Sequence, residues 1–461
     1  MGLPEPVGRQ SDVAYLPAAG HHVVLGTAGT GKTVMAMLRA LYLSDPGVSG
    51  SGRTLLVTYN NALVSYLRHL SGKADRLDIS TYARFARNFL HRRGGMRDQP
   101  IASSPVRRRL IQSALRAVAS RYGPHKLFER DPGWFEDEIA WISGMGLRTW
   151  EAYEAVDRLG RRTALGVPLR RLVWEVAEEY RLHRTAAGLS YDWHDMAASV
   201  RDHQARDRGP RTYRHVIIDE GQDLSPEEIR SLAEVVDPEG SVTFFGDYAQ
   251  QIYGQGMSWR ACGLKVARVE MFKDNYRNST AIAEFAIALS RLPFFGRTDE
   301  LVPPVAPLSR GSLPTLVACV DRAQEAAVIR STARQLGQVG TVVVLGRTWA
   351  DVDEACAGLT VQRIERGRQF SWDYAPGVYG TTYHSAKGLE FDTVLMPFCS
   401  EDTLPLPEVV RALGVDDAAE RESKLLYVGI TRAKSDLVIT YSGTRTHLLP
   451  GGDGLYAEVR P

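Results

Sequence analysis

The sequence predicts an α/β protein of two halves, each with a parallel sheet, and a helical segment that interrupts the first half. Short apolar strands alternate with helices at the start of the chain, and the same alternation returns in its last third. Strands that alternate with helices favour parallel sheets, whose ligand sites lie at the carboxyl ends of the strands. A chain of 461 residues is too long for one compact core and suits two or three domains.

The composition is that of a globular protein. Hydrophobic residues make up 44% and charged residues 24% of the chain, which excludes collagen-like, low-complexity and disulfide-scaffold classes. No apolar run is long enough to span a membrane, and the first residues lack the basic start and apolar run of a secretory signal. The four cysteines are far apart, which argues against a zinc ribbon or a local iron–sulfur cluster. We therefore expect a cytoplasmic protein with reduced thiols and no membrane partner.

The first half, residues 1–295, is predicted to form one domain with a helical insertion at about residues 89–211. In the insertion, amphipathic helices occur without a convincing strand. The predicted strands of this half cover residues 22–25, 54–58, 215–218 and 242–245, and its first helix covers residues 33–43.

The second half, residues 296–461, follows a stretch rich in proline and glycine at residues 292–314, which is the predicted linker. Here the alternation of strands and helices resumes. The predicted elements are strands at residues 315–320, 341–345, 378–382, 393–398 and 437–441 and a helix at residues 322–336.

A glycine-rich segment after the first predicted strand matches the phosphate-binding pattern G-x-x-x-x-G-K-[ST]. The segment consists of Gly26, Thr27, Ala28, Gly29, Thr30, Gly31, Lys32 and Thr33. Backbone N–H groups of such a loop close around phosphates, and the start of the next helix adds its positive dipole end. Lys32 is expected to reach the terminal phosphates of ATP and Thr33 to hold Mg²⁺. A glycine-rich turn without function is the alternative, which the strand–loop–helix context disfavours.

Two adjacent carboxylates follow the strand predicted at residues 215–218. Asp219 is expected to hold Mg²⁺, and Glu220 to orient and deprotonate the attacking water. Asp-Glu pairs also occur in ordinary surface turns, but a position after a buried strand and downstream of a phosphate loop favours a functional pair. The two segments together predict an ATP-hydrolysing site.

Six segments in this order resemble the motifs of the UvrD/Rep-like branch of superfamily 1 helicases, nearly from end to end. They cover residues 26–33, 219–223, 246–253, 275–277, 382–391 and 422–434. Lysine is rare in the chain, with eight among the 56 Lys and Arg residues, and Lys32, Lys387 and Lys434 lie in these motifs. The resemblance implies two RecA-like P-loop NTPase domains, ATP in the cleft between them, and 3′→5′ movement along single-stranded DNA. The sequence does not decide between DNA and RNA as the nucleic acid along which the protein moves.

The resemblance also implies roles at the ATP site for residues outside the phosphate loop. The implied roles are adenine recognition by Gln10, γ-phosphate sensing by Gln250, base stacking by Tyr276, γ-phosphate contact by Arg277, ribose binding by Glu390 and the arginine finger by Arg432. Because Lys32 and Arg432 come from different halves, ATP is expected to draw the halves together and hydrolysis to release them.

Several residues resemble the strand-contacting positions of the family. They are Thr58, Tyr59, Asn60, Thr81, Phe85, Trp259, Tyr383 and His384. Hydroxyl groups beside aromatic rings suit single-stranded nucleic acid, which is held by backbone contacts and base stacking. Each aromatic residue could instead belong to the core.

The insertion is rich in arginine and tryptophan. Its basic runs, at residues 92–93, 107–109, 161–162 and 170–171, fit either duplex binding or solvated helix faces. Its five tryptophans are expected in a helical core. They are Trp134, Trp141, Trp150, Trp174 and Trp193.

The chain departs from larger family members between the fourth and fifth motifs. Those members carry a large insertion there, whereas only residues 350–373 are spare in this chain, so the insertion is at most vestigial. Two functions stay open. One is an ATP-dependent translocase or helicase on single-stranded DNA. The other is a regulatory ATPase subunit that senses nucleic acid and licenses a separate nuclease in a repair or anti-phage system.

Overall fold

The computed structural model describes residues 6, 10–26, 29–58, 61–71, 74–94, 96, 101–158, 161, 165–247, 259–272, 278–295, 311–365 and 375–461. In these residues the chain forms two parallel sheets, each flanked by helices, and a separate group of helices. The predicted α/β class is confirmed. None of the described helices is both long and apolar enough to cross a membrane.

The first sheet begins to form before the insertion and is completed after it. The elements before the insertion are α1 (Gln10–Ala14), β1 (His21–Gly26), α2 (Lys32–Ser44), β2 (Thr54–Thr58), α3 (Asn61–Ser71), β3 (Leu77–Thr81) and α4 (Tyr82–Arg92). The insertion contains β4 (Ile101–Ala102), α5 (Ser104–Tyr122), α6 (Pro132–Met145), α7 (Trp150–Ala155), α8 (Val167–Ala186), β5 (Tyr191–Asp192) and α9 (Met196–Arg206). The chain then returns with β6 (Tyr213–Ile218), α10 (Pro226–Glu234), β7 (Val236–Gly246), β8 (Val266–Phe272) and α11 (Thr280–Ser290).

The strand order of the first sheet brings the motif-bearing loops to one edge. The order is β3-β2-β6-β7-β1-β8, and neighbouring strands pair in parallel. Because β6, β7 and β1 are adjacent, the ends of these strands at Ile218, Gly246 and Gly26 share an edge. The edge therefore gathers the phosphate loop and the Asp219–Glu220 pair, as expected for a parallel sheet.

The insertion has a hydrophobic core of its own. Trp134, Trp141 and Trp174 are buried in this core, and Trp150 packs against it in a partly buried position. Trp193 is 42% exposed and lies outside it. The prediction of a tryptophan-rich helical core therefore holds for four of the five tryptophans.

Many arginine side chains of the insertion form ion pairs or donate hydrogen bonds to backbone carbonyls. Arg107 is buried and contacts Asp192 at 3.1 Å, Arg108 contacts Glu136 at 2.8 Å, and Arg161 pairs with acidic residues of α6. Arg170 donates hydrogen bonds to four backbone carbonyls of the segment 153–165. These arginines hold the insertion together, which weakens the interpretation of the runs as a duplex-binding surface.

The second sheet contains all strands after the linker. Its elements are β9 (Thr315–Cys319), α12 (Arg322–Leu336), β10 (Thr341–Gly346), α13 (Trp349–Ala355), β11 (Gln362–Arg363), β12 (Gly377–Thr382), β13 (Phe391–Met396), α14 (Pro407–Leu413), α15 (Val415–Ile430), β14 (Ala433–Ser442) and β15 (Ala457–Val459). The strand order is β11-β12-β10-β13-β14-β9-β15, again with parallel neighbours.

Helix α11 packs with the second sheet, although the sequence predicts a domain boundary at residue 295. Ile282, Phe285 and Leu289 belong to the core of the second sheet, and the Asn278 side chain donates to the backbone carbonyl of Thr431 at 3.2 Å. Because the apolar face of α11 is buried with the second sheet, its packing favours a boundary before this helix, and the division into domains itself stays a prediction.

The segment predicted to be spare, residues 350–373, is partly used by the second sheet. Helix α13 packs against β10 and β12, and β11 adds an edge strand beside β12. Residues 366–374 lie outside the described residues.

Candidate active site

The phosphate loop has a backbone conformation that requires glycine. Gly31, the residue that caps the start of α2, has φ 79° and ψ 21°, in the left-handed region, and a Cβ atom on it would lie 2.6 Å from Nε2 of Gln10. Gln10 is buried and donates from Nε2 to the carbonyl of Thr30 at 3.0 Å. The residue expected to read adenine therefore lies against the phosphate loop.

Lys32 is held at the base of this loop. It is 7% exposed, and its Nζ donates to the carbonyl of Gly26 at 2.9 Å. The same Nζ lies 3.7 Å from a carboxylate oxygen of Asp247, which follows β7. The cation is thus fixed where the carboxyl ends of β1 and β7 meet.

Asp219 has the surroundings of a cation ligand. It is 2% exposed, and neither of its carboxylate oxygens has a hydrogen-bond partner of normal geometry in the described residues. Burial and the Glu220 carboxylate raise the pKa of Asp219 to about 7, although Thr33 and Lys32 act in the opposite direction. Leaving a buried carboxylate without partners is costly, and a bound cation would remove that cost. The residues present therefore fit a divalent cation such as Mg²⁺, which Thr33 and Asp219 would hold.

Glu220 has the opposite electrostatic environment. Burial acts to raise its pKa, but Lys32, Lys387 and Arg432 outweigh burial and hold the pKa of Glu220 below its usual range. The backbone of Glu220 has φ 54°, which is rare for a residue with a side chain. Two neighbouring carboxyl groups whose pKa values move apart are typical of residues with different chemical roles.

Gln222 connects Glu220 to the loop after β7. Its Nε2 donates to a carboxylate oxygen of Glu220 at 2.5 Å, and its Oε1 accepts from the backbone N–H of Asp247 at 2.9 Å. Because both ends of the amide are used, Gln222 fixes the orientation of the Glu220 side chain.

A buried ion pair joins the two sheets at this edge. Lys387, in the turn after β12, donates from Nζ to a carboxylate oxygen of Asp223, and both side chains are 0% exposed. Asp223 belongs to the first sheet's Asp219–Asp223 segment, so the second half contributes a cation directly to it. The site is therefore assembled from both halves.

Arg432 also comes from the second half and faces the same carboxylates. It is 1% exposed and donates from Nε to the carbonyl of Val428 at 3.0 Å and from Nη1 to the carbonyl of Leu389 at 3.2 Å. These bonds hold the guanidinium in place, and its charge contributes to the lowered pKa of Glu220. Glu390 is more open: it is about a third exposed and lies 4.0 Å from Lys434.

Some of the predicted site residues lie outside the described residues, so their roles stay predictions. They are Thr27, Ala28, Tyr59, Asn60, Gln250, Tyr276 and Arg277.

The described strand-contact candidates differ in exposure. Thr58 is 1% exposed at the end of β2, and the hydroxyl of Thr81 caps α4 by accepting from the Arg84 N–H at 3.4 Å. His384 is half-buried in the turn after β12. Trp259 is half-buried, with its ring centroid 4.7 Å from that of Phe244 in a T-shaped arrangement, so the ring packs against the core of the first sheet.

Two of the aromatic candidates are core residues. Tyr383 is 0% exposed within the second core, and its hydroxyl lies 3.7 Å from Sγ of Cys399. Phe85 is 5% exposed and packs with Tyr82, Phe89 and Tyr213. The Tyr383 ring packs inside the core and is not open to a strand in this structure, so its strand contact stays a prediction. For Phe85, burial favours the core alternative.

Three residues of the site received no role from the sequence. Gln222 and Asp223 lie within a recognised motif, and Lys387 lies within another, but their partners are distant along the chain. The rarity of lysine was the available signal for Lys387. Nothing in the sequence indicates which carboxylate this lysine meets.

Comparisons with known proteins identify the family. A family model described as UvrD/REP helicase N-terminal domain matches residues 8–265, more than half of the chain. A second, described as UvrD-like helicase C-terminal domain, matches residues 359–444. The two RecA-like domains of this family correspond to the two parallel sheets, in agreement with the predicted fold class.

Matches to individual curated proteins are short. The chain is 42% identical over 73 residues to a probable DNA helicase II homolog of Rickettsia conorii, which is 16% of this chain and 11% of that protein. It is 38% identical over 95 residues to DNA helicase II of Haemophilus influenzae, 21% of this chain and 13% of that protein. It is 38% identical over 82 residues to the ATP-dependent DNA helicase UvrD2 of Mycobacterium tuberculosis, 17% of this chain and 11% of that protein. The matched regions therefore span only about a tenth of each relative.

One solved structure is the C-terminal domain of a possible DNA helicase from Lactobacillus plantarum. It is 21% identical and covers 40% of this chain and 97% of that chain, with a TM-score of 0.29, which is too low to support an inference. The family assignment rests instead on the N-terminal family model and its match over more than half of the chain. On that basis, the chain belongs to the UvrD/REP helicase family.

Proposed function

We propose that the chain is an ATP-driven motor that moves along single-stranded DNA, with ATP hydrolysed between the two sheets. The observation that carries this proposal is the convergence of charges on Glu220. Lys32 comes from the first half, whereas Lys387 and Arg432 come from the second, and all three lower the pKa of Glu220. A carboxylate whose environment needs both halves couples the chemistry to the relative position of the halves.

The residues divide the work of hydrolysis in the following way. Lys32 and the backbone of the phosphate loop bind the phosphates, and Thr33 and Asp219 hold Mg²⁺, which neutralises phosphate charge when bound. Glu220, oriented by Gln222, accepts the proton of the attacking water. Arg432 stabilises the charge that develops on the transferred phosphoryl group. Gln250 and Arg277 are proposed to assist at the γ-phosphate, and Gln10, Tyr276 and Glu390 to bind the nucleoside.

The track and the direction rest on the family. DNA is proposed because the matched relatives carry the names DNA helicase II and DNA helicase, and 3′→5′ polarity follows from the motif resemblance. Thr58, Tyr59, Asn60, Thr81, Trp259 and His384 are the proposed strand contacts. Few residues are available for the insertion that larger family members carry between the fourth and fifth motifs. We therefore propose that the chain alone translocates along a single strand but unwinds duplex DNA poorly.

The test compares ATP turnover of the purified chain alone, with single-stranded DNA, with single-stranded RNA and with blunt duplex. Single-stranded DNA is expected to stimulate turnover most. Displacement of streptavidin from the 5′ end of a biotinylated strand, but not from the 3′ end, would then show 3′→5′ movement. Stimulation without displacement at either end would overturn the motor and favour the regulatory ATPase subunit.

A further inference from the structure

A groove runs along the outer side of the first sheet, between α4 and the edge strand β3. Its cavity measures about 230 Å³. We call it the α4 groove and define it by Arg68, Asp78, Arg84, Asn88 and Arg92, which line it together with neighbouring side chains. Arg84, Asn88 and Arg92 are each one helical turn apart, so they form a row along one face of α4.

The charges of the α4 groove are not balanced. Neither Arg84 nor Arg92 forms an ion pair with a described acidic residue, and Arg68 donates to the carbonyl of Ile79. Asp78 is the acidic residue of the lining, and it already accepts hydrogen bonds from Arg53 at 2.8 Å and from the hydroxyl of Tyr213 at 2.9 Å. Burial lowers the pKa of Arg68 and the nearby Arg84 charge lowers it further, and together these two effects outweigh the opposite effect of the Asp78 carboxylate.

The position of the groove connects it to the proposed track. One end lies at Ser80, next to Thr81 at the carboxyl edge of the sheet, where the strand-contact candidates lie. The other end reaches Arg92 at the end of α4 and Tyr213 at the start of β6, on the opposite edge. From Arg84 to Arg92 the helix rises about 12 Å. The groove thus continues from the track down the side of the first domain.

The floor of the groove indicates which part of a nucleic acid it would contact. Phe85, Phe89 and Tyr213 line it but are each at most 6% exposed, so their faces are not open for base stacking. The exposed groups are guanidinium groups and the Asn88 amide, which suit phosphate oxygens. Contact through the backbone alone would be independent of base sequence.

We propose that the α4 groove binds the phosphate backbone of the single strand where it leaves the carboxyl edge of the first sheet. This inference rests on the proposed function, because it requires a strand on that edge. Arg84 and Arg92 contact consecutive stretches of the backbone, and Arg68 adds charge from the opposite wall. The groove lengthens the track and retains the strand that has already passed the ATP cleft.

The test measures binding of fluorescent oligothymidylates of about 8 and about 24 nucleotides to the full chain at several salt concentrations. The variant is Arg84→Glu/Arg92→Glu, and the matched control is Arg87→Glu, an exposed arginine of α4 outside the groove lining. Glutamate at position 84 is the third residue of α4 behind the Thr81 cap, where a carboxylate favours the helix, whereas glutamate at position 92 lies in the last turn, where a carboxylate disfavours it. A urea unfolding curve of the double variant that matches the wild-type curve excludes unfolding as the cause of a loss.

In the double variant, affinity for the long oligonucleotide is expected to fall about tenfold more than affinity for the short one. The log–log salt slope for the long oligonucleotide is expected to become shallower by about 1.4, which corresponds to two phosphate contacts. Arg87→Glu is expected to match the wild-type protein in both measurements.

Three outcomes would contradict the proposal. The first is that the double variant and Arg87→Glu bind both oligonucleotides equally well while single strands still stimulate ATP turnover. This result would rule out binding at the α4 groove and leave the proposed function intact. Failure of both oligonucleotides to bind the wild-type chain or stimulate its turnover removes both proposals. The third is that inorganic phosphate or a mononucleotide displaces the long oligonucleotide from the wild-type protein but not from the double variant. This result would identify the groove as a site for small anions instead.

Discussion

In the part of the chain that the structure describes, two ion pairs between the halves of the molecule differ in burial. At the ATP cleft, Lys387 and Asp223 are 0% exposed and form an ion pair between the sheets. Near the insertion, Arg421 of α15 lies 3.6 Å from Asp137 of α6, and each side chain is 27% exposed. The first contact joins the two sheet domains at the candidate active site, whereas the second joins the insertion to helix α15 of the second domain.

Burial determines what each contact contributes. A partly exposed ion pair contributes less than a buried one because solvent screens both charges. Breaking a buried pair by removing one partner is costly, since the other charge stays buried and uncompensated. The comparison teaches that loss of the buried pair at the candidate active site should cost much more than loss of the partly exposed pair at the insertion.

The largest expected effect comes from Arg432→Ala. Turnover of ATP with single-stranded DNA should fall about 10³-fold while ATP binding is retained, because the charge is needed for transition-state stabilisation. The measurement is steady-state turnover alongside binding of a fluorescent ATP analogue. Turnover within a few-fold of wild type would show that Arg432 acts only in packing with Val428 and Leu389.

Lys387→Met tests the buried pair itself. The free energy of unfolding should fall by about 3–5 kcal/mol, because Asp223 would stay buried without a cation. Urea denaturation monitors the loss, and the double variant Lys387→Met/Asp223→Leu should recover most of it. If the double variant is no more stable than the single one, the cost comes from packing rather than from the unpaired charge.

Glu220→Gln tests the proton-transfer step while the ion pair between Lys387 and Asp223 is kept. Turnover should drop about 10²-fold or more, the scale of general-base catalysis, with ATP binding retained. Lys32→Ala serves as the comparison, since losing that cation should weaken ATP binding and turnover together. Near-normal hydrolysis by Glu220→Gln would assign the proton transfer to another group.

Arg421→Ala should have the smallest effect. The free energy of unfolding is expected to change by less than about 1 kcal/mol, and ATP turnover should stay at the wild-type level. The same urea and turnover measurements apply. A loss as large as that of Lys387→Met would contradict the assignment of the insertion contact as the weak one.

Much of the fold and of the ATP site could be predicted from local sequence. The α/β class, the two sheets and the helical insertion follow from apolar periodicity and from turn residues, which act over a few positions. The phosphate loop is predictable because its backbone needs glycine at positions such as Gly31, whatever surrounds it. The placement of α11 was not predictable in this way, since its apolar face suits either core and only packing selects one.

The predicted strand contacts, in contrast, could not be assigned from local sequence. Tyr383 and Phe85 match the family positions, yet both rings are buried in cores, because an aromatic residue beside a motif has the same local pattern whether it points to solvent or inward. Exposure depends on which helix covers which face of the sheet, and that is set by the packing of distant segments.

The sequence by itself determined the chemistry: a phosphate loop, a carboxylate pair after a strand and the rare lysines and key arginine that serve them. The tertiary structure alone decided which charges meet. Lys387 and Asp223 are 164 residues apart, and Gln222 and Asp247 are 25 apart, yet each pair is in contact. The physical reason is that parallel sheets bring the carboxyl ends of non-consecutive strands to one edge, so the partners of a charge depend on strand order and domain contact rather than on spacing along the chain.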